Sequence, residues 1–342
     1  MSISFFGLRC CISFLLFNSG TLTWAKAPST AKIVFSSNRD GNSEIYVMNP
    51  DGSQQVNLTK HPAVDFDPAW SPTGEQILFN SNRDGEWDLY FMDADGKNVR
   101  KVFAKSADRR QPTWSPDGKY IAYLQNDEWA IYTATIDGKT VEKIADTGED
   151  GGSPAWSPDG AEIVFILAGA AEKFGMRLPN SRQLRVANLK SGAMRTLYAK
   201  QLPIMGNPVW SPDGERLAFS WMNRDLWAKW VHDKWGKQVF DAQTIYVAAR
   251  DGGEFQQIVS EAGPYALEPA WSPFGDELLY KQQVGNQLNQ YQIFKIPVEG
   301  GRPEQLTDIG RNSGADWFDP RTLPVQPNVE LLTTTWGKLK QK

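Results

Sequence analysis

The motif Pro-x-Trp-Ser-Pro occurs at Pro68–Pro72, Pro112–Pro116, Pro154–Pro158, Pro208–Pro212 and Pro269–Pro273, and a degenerate sixth copy reads Ala315-Asp316-Trp317-Phe318. Nothing else in the chain limits its possible folds so tightly. Successive motif tryptophans lie 44, 42, 54, 61 and 46 residues apart. That period suits a four-stranded propeller blade and exceeds a leucine-rich or tetratricopeptide unit. Regular tryptophans also imply one packing role used repeatedly, with each indole N–H seeking a partner.

Inside each repeat the same signals recur in order. A turn follows Trp-Ser-Pro: Thr73-Gly74, Asp117-Gly118, Asp159-Gly160, Asp213-Gly214 and, as the outlier, Phe274-Gly275. Glycine supplies the positive φ that a tight hairpin requires. A short apolar strand comes next, as in Ile77-Leu78-Phe79 and Ile163-Val164-Phe165, then a third strand marked by Ile-Tyr or a relative of it. A second turn (Asp95-Gly96, Asp137-Gly138, Asp251-Gly252) leads to a weaker fourth strand. Four short strands joined by tight turns make an antiparallel blade.

The chain enters this pattern out of phase. Its first strands, around Ile33-Val34-Phe35, Ile45-Tyr46-Val47 and Val56-Asn57-Leu58, are the second, third and fourth of a blade. The missing first strand is the degenerate copy around Trp317. The expectation is therefore an all-β, six-bladed β-propeller of four-stranded antiparallel blades, its ring closed by a C-terminal strand joining the N-terminal three. Such closure removes two open edges.

The motifs Asp67-Pro68-Ala69-Trp70-Ser71-Pro72 and Asn38-Arg39-Asp40-Gly41, with Ile45-Tyr46-Val47-Met48, resemble the propeller repeats of the TolB family. The resemblance runs from Lys32 to Pro320 and is expected to cover the propeller portion only, without the α/β domain that precedes it in TolB. It implies an exported binding scaffold in cell-envelope organisation or transport. The alternative is a carbohydrate- or peptide-processing enzyme, or the regulatory propeller of a peptidase-type system, whose propellers carry similar repeats.

Ahead of the repeats, Met1 to Arg9 carries one positive charge and an apolar run spans Cys10 to Phe17. Small-residue exits follow at Ala25 and Ala27, the layout of a secretory signal peptide. The expected organisation is a signal over 1–25, a propeller over 31–320 and a tail over 321–342. The mature chain would be periplasmic or secreted and monomeric, with no transmembrane segment. It would also lack cysteine, since Cys10 and Cys11 are the only two.

Chemistry is limited by what is missing. A net charge of −4 gives no basic footprint for nucleic acid. Two histidines, His61 and His232, and no Gly-x-Ser-x-Gly elbow argue against a nucleophilic triad. Asp93-Ala94-Asp95-Gly96 reads as the repeat's own turn, because an EF-hand loop needs more acidic ligands and a later glutamate. The expectation is no catalytic residue, no metal and no cofactor. Arg39 and Arg83 read as turn residues.

Binding is expected on one face. The two long repeats, which begin at Trp156 and Trp210, carry their extra residues between second and third strands, at Ile166–Arg182 and Met222–Gln243. The later insertion reads as a short amphipathic helix from Asp225 to Gly236, with Trp227, Val231 and Trp235 at i, i+4, i+8 and Trp230 alongside. Its apolar stripe either packs on the propeller or forms an aromatic rim for a ligand. The residue before each Pro-x-Trp (Asp67, Gln111, Ser153, Asn207, Glu268, with Gly314 in the sixth copy) should ring the channel mouth on that face. A protein or small ligand would meet Asp67, Arg110, Gln111, Asn207, Trp227, Trp230, Trp235 and Glu268.

Overall fold

A computed structural model describes residues 25–169, 172–173, 176–177, 182–198, 204–222, 243–251, 253, 255–260, 265–285 and 290–323. The strands fall into six blades. Blade 1 joins Lys32–Ser37, Glu44–Met48 and Val56–Asn57 to Asn312–Phe318 from the other end of the chain. Blade 2 is Asp65–Trp70, Gln76–Ser81, Asp88–Asp93 and Arg100–Lys101; blade 3 is Arg109–Trp114, Tyr120–Gln125, Ala130–Thr135 and Val141–Asp146. Blade 4 comprises Gly152–Trp156, Glu162–Ala168, Arg182–Asn188 and Met194–Thr196. Blade 5 comprises Ile204–Trp210, Arg216–Met222, Gln243–Ala249 and Gln256–Gln257. Blade 6 comprises Ala266–Trp271, Glu277–Gln283, Tyr291–Pro297 and Glu304–Gln305. Pairing within every blade is antiparallel, and one parallel bridge, Arg182 to Ile204, links blades 4 and 5. A short ladder, Glu172–Lys173 with Met176–Arg177, lies within the blade 4 insertion.

Closure occurs where the repeat count requires it. Asn312–Phe318 pairs with Lys32–Ser37, with Ile33 opposite Trp317 and Val34 opposite Asp316. Two side chains then bind the closing strand to blade 2. The Asp316 carboxylate accepts the Trp70 N–H at 2.7 Å, and the Phe318 ring lies 5.6 Å from that of Trp70. Phe318 is buried in the slot left by Gly74, whose φ of +70° and missing Cβ leave the ring room. Within blade 1 Arg39 also holds the closing strand, donating to Asn312 Oδ1 at 3.1 Å while its guanidinium stacks on Tyr46.

The second and third strands, buried on both faces, supply apolar clusters shared between neighbouring blades. The motif tryptophans fill the same junctions. Trp114 and Trp271 donate Nε1–H to the carbonyls of Ala69 and Val209 in the preceding repeat motif, at 3.1 and 3.2 Å. The expected uniformity fails in two respects. The indole nitrogens of Trp70, Trp156, Trp210 and Trp317 have no partner among the described residues, and Trp156 and Trp317 are only half-buried.

Several expectations fall outside the described residues: all but Ala25 of the signal peptide expected over 1–25, residues 324–342 of the tail expected over 321–342, and the whole segment 223–242. That segment contains the anticipated helix with Trp227, Trp230 and Trp235, and also His232.

Candidate functional site

The first strands of the six blades surround one axis. Pro68, Pro112, Pro154, Pro208, Pro269 and Ala315 all line a central opening of about 210 Å³. Each first strand carries one extra residue relative to its partner, as between Phe66 and Ala69 opposite Asn80 and Leu78. The same bulge occurs in the other five blades.

The extra residue is the one before Pro-x-Trp, and its backbone is left-handed every time. The φ values are +50° at Asp67, +53° at Gln111, +51° at Ser153, +50° at Asn207, +54° at Glu268 and +60° at Gly314. For a non-glycine residue this conformation costs about 1–2 kcal/mol. A bulge interrupts the ladder, and the proline that follows has no N–H to leave unpaired. The expected ring therefore exists as geometry: these six residues meet at one mouth.

Their side chains divide into two kinds. At two junctions a side chain on the second strand of the preceding blade holds the bulge N–H: Ser36 Oγ takes Asp67 N at 3.1 Å and Asn80 Oδ1 takes Gln111 N at 3.1 Å. Leu124 and Lys281 stand at the equivalent positions in blades 3 and 6 and cannot accept. There the ring residue itself acts as the brace. Gln111 Oε1 accepts Ser153 N at 2.7 Å, and Glu268 Oε2 accepts Gly314 N at 2.9 Å. Glu268 Oε1 is also bound by Lys281 Nζ.

Gln111 and Glu268, read as binding residues, thus have a bracing role here. Among the described residues, the Asp67 and Asn207 side chains have no hydrogen-bond partner and remain available at the mouth. Lys281 was not legible as a site residue from the Pro-x-Trp motif. The available signal was one column away: the repeat places Ser36, Asn80, Leu124, Ile166 and Ser220 at its position.

Asp67 sits half-buried beside Glu268. Burial first, and the Glu268 charge second, push its carboxyl up to about 7, against the opposing pull of Lys281 and Arg110. Arg110 lies one residue outside the ring and lines an adjacent hollow of about 400 Å³ with Asn207. Its guanidinium is held by both oxygens of Asp108, at 2.7 and 3.0 Å, and faces the Trp87 ring at 5.6 Å.

Other charged residues near this face are structural. Asp65 is fully buried and pairs with Arg83 at 2.9 Å; Arg109, buried against Phe103, pairs with buried Asp88 at 2.9 Å. His61 Nδ1 accepts the Ala63 N–H at 3.1 Å within its own connection. Among the described residues no group of three or more His, Cys, Asp or Glu is placed to hold a metal ion. No helix among them is long and apolar enough to cross a membrane.

Comparison with known proteins agrees with this architecture. Residues 16–174 match the TolB beta propeller domain family. A stretch of 54 residues is 43% identical to the Tol-Pal system protein TolB of Geobacter sulfurreducens, covering 16% of this chain and 12% of that relative. The solved TolB of Acinetobacter baumannii is similar over 84% of this chain and 66% of its own length, with a TM-score of 0.67 and 18% identity. A putative TolB from Agrobacterium tumefaciens matches over 83% of this chain and 91% of its own length, with a TM-score of 0.61 and 20% identity. At these identities the solved structures establish a shared fold.

Proposed function

We propose that this chain, a TolB-like β-propeller, is an exported binding scaffold that receives a partner protein at its channel mouth. The observation that carries this reading is the ring of bulged residues. Five non-glycine side chains are held in a strained conformation around one opening. Strain of this kind persists only where surrounding structure enforces it, and it clusters at functional sites. Braces from Ser36, Asn80 and Gln111 supply that enforcement at Asp67, Gln111 and Ser153, and Glu268 holds Gly314 in the same ring.

Asp67 and Asn207 would make the polar contacts, with Arg110 beside them and the blade 4 and blade 5 insertions bordering the same rim. The Trp227, Trp230 and Trp235 side chains would add aromatic area, the kind of residue that dominates interface energies. Resemblance to a Tol-Pal system protein favours a partner in the cell envelope.

The test is capture of partners from an envelope extract with the mature protein and with Asp67→Ala/Asn207→Ala. The purified partner is then titrated against both. Loss of roughly 30-fold or more in affinity at unchanged melting temperature supports the mouth as the site. Equal affinity for both proteins refutes it.

A further inference from the structure

Blades 3 and 4 meet differently from the other pairs. Elsewhere the junction clusters are extensive; here the buried cluster is Leu124, Ile131, Phe165 and Ala187 alone. Beside it opens a cleft of about 500 Å³ with Trp156 in its wall.

The other five motif tryptophans are covered by a neighbour. Trp70 has Phe318 at 5.6 Å and Trp114 has Phe91 at 5.0 Å. Trp210, Trp271 and Trp317 have the cationic groups of Arg250 at 5.0 Å, Arg216 at 4.9 Å and Lys295 at 5.9 Å. Among the described residues, Trp156 has neither a ring nor a cation over it.

The repeat shows which residues changed. Arg216, at the start of its second strand, covers the next blade's Trp271; the equivalent position before Trp156 is Tyr120. Arg250, just past its third strand, covers Trp210 and pairs with Glu162 at 2.8 Å and Asp159 at 3.8 Å; in blade 4 the corresponding segment offers Leu189. Of the two carboxylates one counterpart was kept: Asp117, which faces Lys119 at 3.3 Å, stands in blade 3 where Asp159 stands in blade 4, whereas Tyr120 takes the place of Glu162; Glu142 joins Asp117 in the cleft wall, next to Lys143. The cleft thus retains the aromatic face and one acid of a guanidinium seat, with Glu142 as a second carboxylate nearby, and without the guanidinium.

A second feature lies along the same cleft. The fourth strand of blade 3, Val141–Asp146, is six residues long, against two or three in the other blades. Its outer edge pairs with no described strand, and Val141 is 46% exposed. Free strand edges accept an added strand through main-chain hydrogen bonds, with side-chain pockets setting specificity.

We propose that this cleft is a lateral docking site, separate from the channel mouth, for an extended arginine-bearing segment of a partner protein. The segment adds to the edge of Val141–Asp146, and its guanidinium lies over Trp156 between Asp117 and Glu142. Arginine suits the site better than lysine because its flat, weakly hydrated head stacks on an indole while its N–H groups face carboxylates.

The probe is a blocked pentapeptide, acetyl-Thr-Val-Arg-Val-Thr-amide, with versions carrying lysine or citrulline in place of arginine. The readout is the indole N–H signal of Trp156 in nitrogen-15 NMR, assigned with Trp156→Phe. Saturable shifts are expected with the arginine peptide, and roughly tenfold weaker binding with the other two. Leu189→Arg, which places a guanidinium where blade 5 has Arg250, should abolish the response and hold or raise the melting temperature. Asp117→Asn/Glu142→Gln, at exposed positions, should weaken the arginine peptide and leave the uncharged citrulline peptide unchanged. Asp67→Ala at the mouth should leave all three titrations unchanged. No saturable shift at millimolar peptide, equal binding of the citrulline peptide, or an undiminished response in both cleft variants overturns the proposal.

Discussion

The closing blade can be tested through Gly74 and Phe318, which are 244 residues apart in sequence and touch in space. Phe318 is 5% exposed and packs with Val34, Trp70, Ile77 and Phe79 across the seam between blades 1 and 2. Phe318→Ala should therefore cost about 3–5 kcal/mol. Gly74→Ala faces two penalties. A Cβ there would fall on the Phe318 ring, overpacking worth about 1–3 kcal/mol, and the φ of +70° adds about 1 kcal/mol. In the double variant the ring is gone and only the backbone penalty of Gly74→Ala remains. The two changes should therefore be sub-additive by about 1–3 kcal/mol, read from urea midpoints of the four proteins at constant slope. Additivity within about 0.5 kcal/mol would show that the ring does not occupy the Gly74 slot, and with it this account of closure would fail.

Three further outcomes are expected. Asp67 has its carboxyl raised to about 7, above the unfolded value near 3.9. The stability it contributes is therefore complete below about pH 4 and lost as pH rises to about 7; Asp67→Asn should melt above wild type at pH 8 and match it at pH 4, and identical pH profiles would contradict the shift. Trp210→Ala removes a buried junction residue and should cost about 3–5 kcal/mol, whereas Trp230→Ala should spare stability and weaken partner binding roughly 30-fold; equal melting losses would make the blade 5 insertion a packing element. Mass spectrometry of the protein purified from its source should give an N-terminus at Lys26, or at Pro28 if the second exit is used; intact Cys10 and Cys11 in a cytoplasmic fraction would rule out export.

The blades and their closure were legible in the sequence because both rest on local rules. Glycine marks the turns, and strand types can be counted around the chain until one is missing. The bulged ring was legible as a position and not as a conformation. A non-glycine residue before proline is biased toward extended backbone, and nothing at Gln111, Ser153 or Glu268 taken alone suggests a positive φ. The clue lay in the sixth copy, which lacks the proline and has Gly314 at that position. Which ring side chains are free was hidden for a different reason. It depends on a residue 13 positions later: Asn80 holds Gln111 N and so frees Asp67, while Leu124 cannot accept and commits Gln111 to holding Ser153. The same logic governs the lateral cleft. Tyr120 and Leu189 are unremarkable within their own strands, and they acquire meaning only beside Arg216 and Arg250 in later blades. A repeat sequence states the common fold many times over, so individual function has to be sought in departures from the repeat. In this chain those departures fall on Asp67 and Asn207 at the mouth and on Tyr120 and Leu189 around Trp156, two places where the scaffold's own side chains leave recognition groups uncovered.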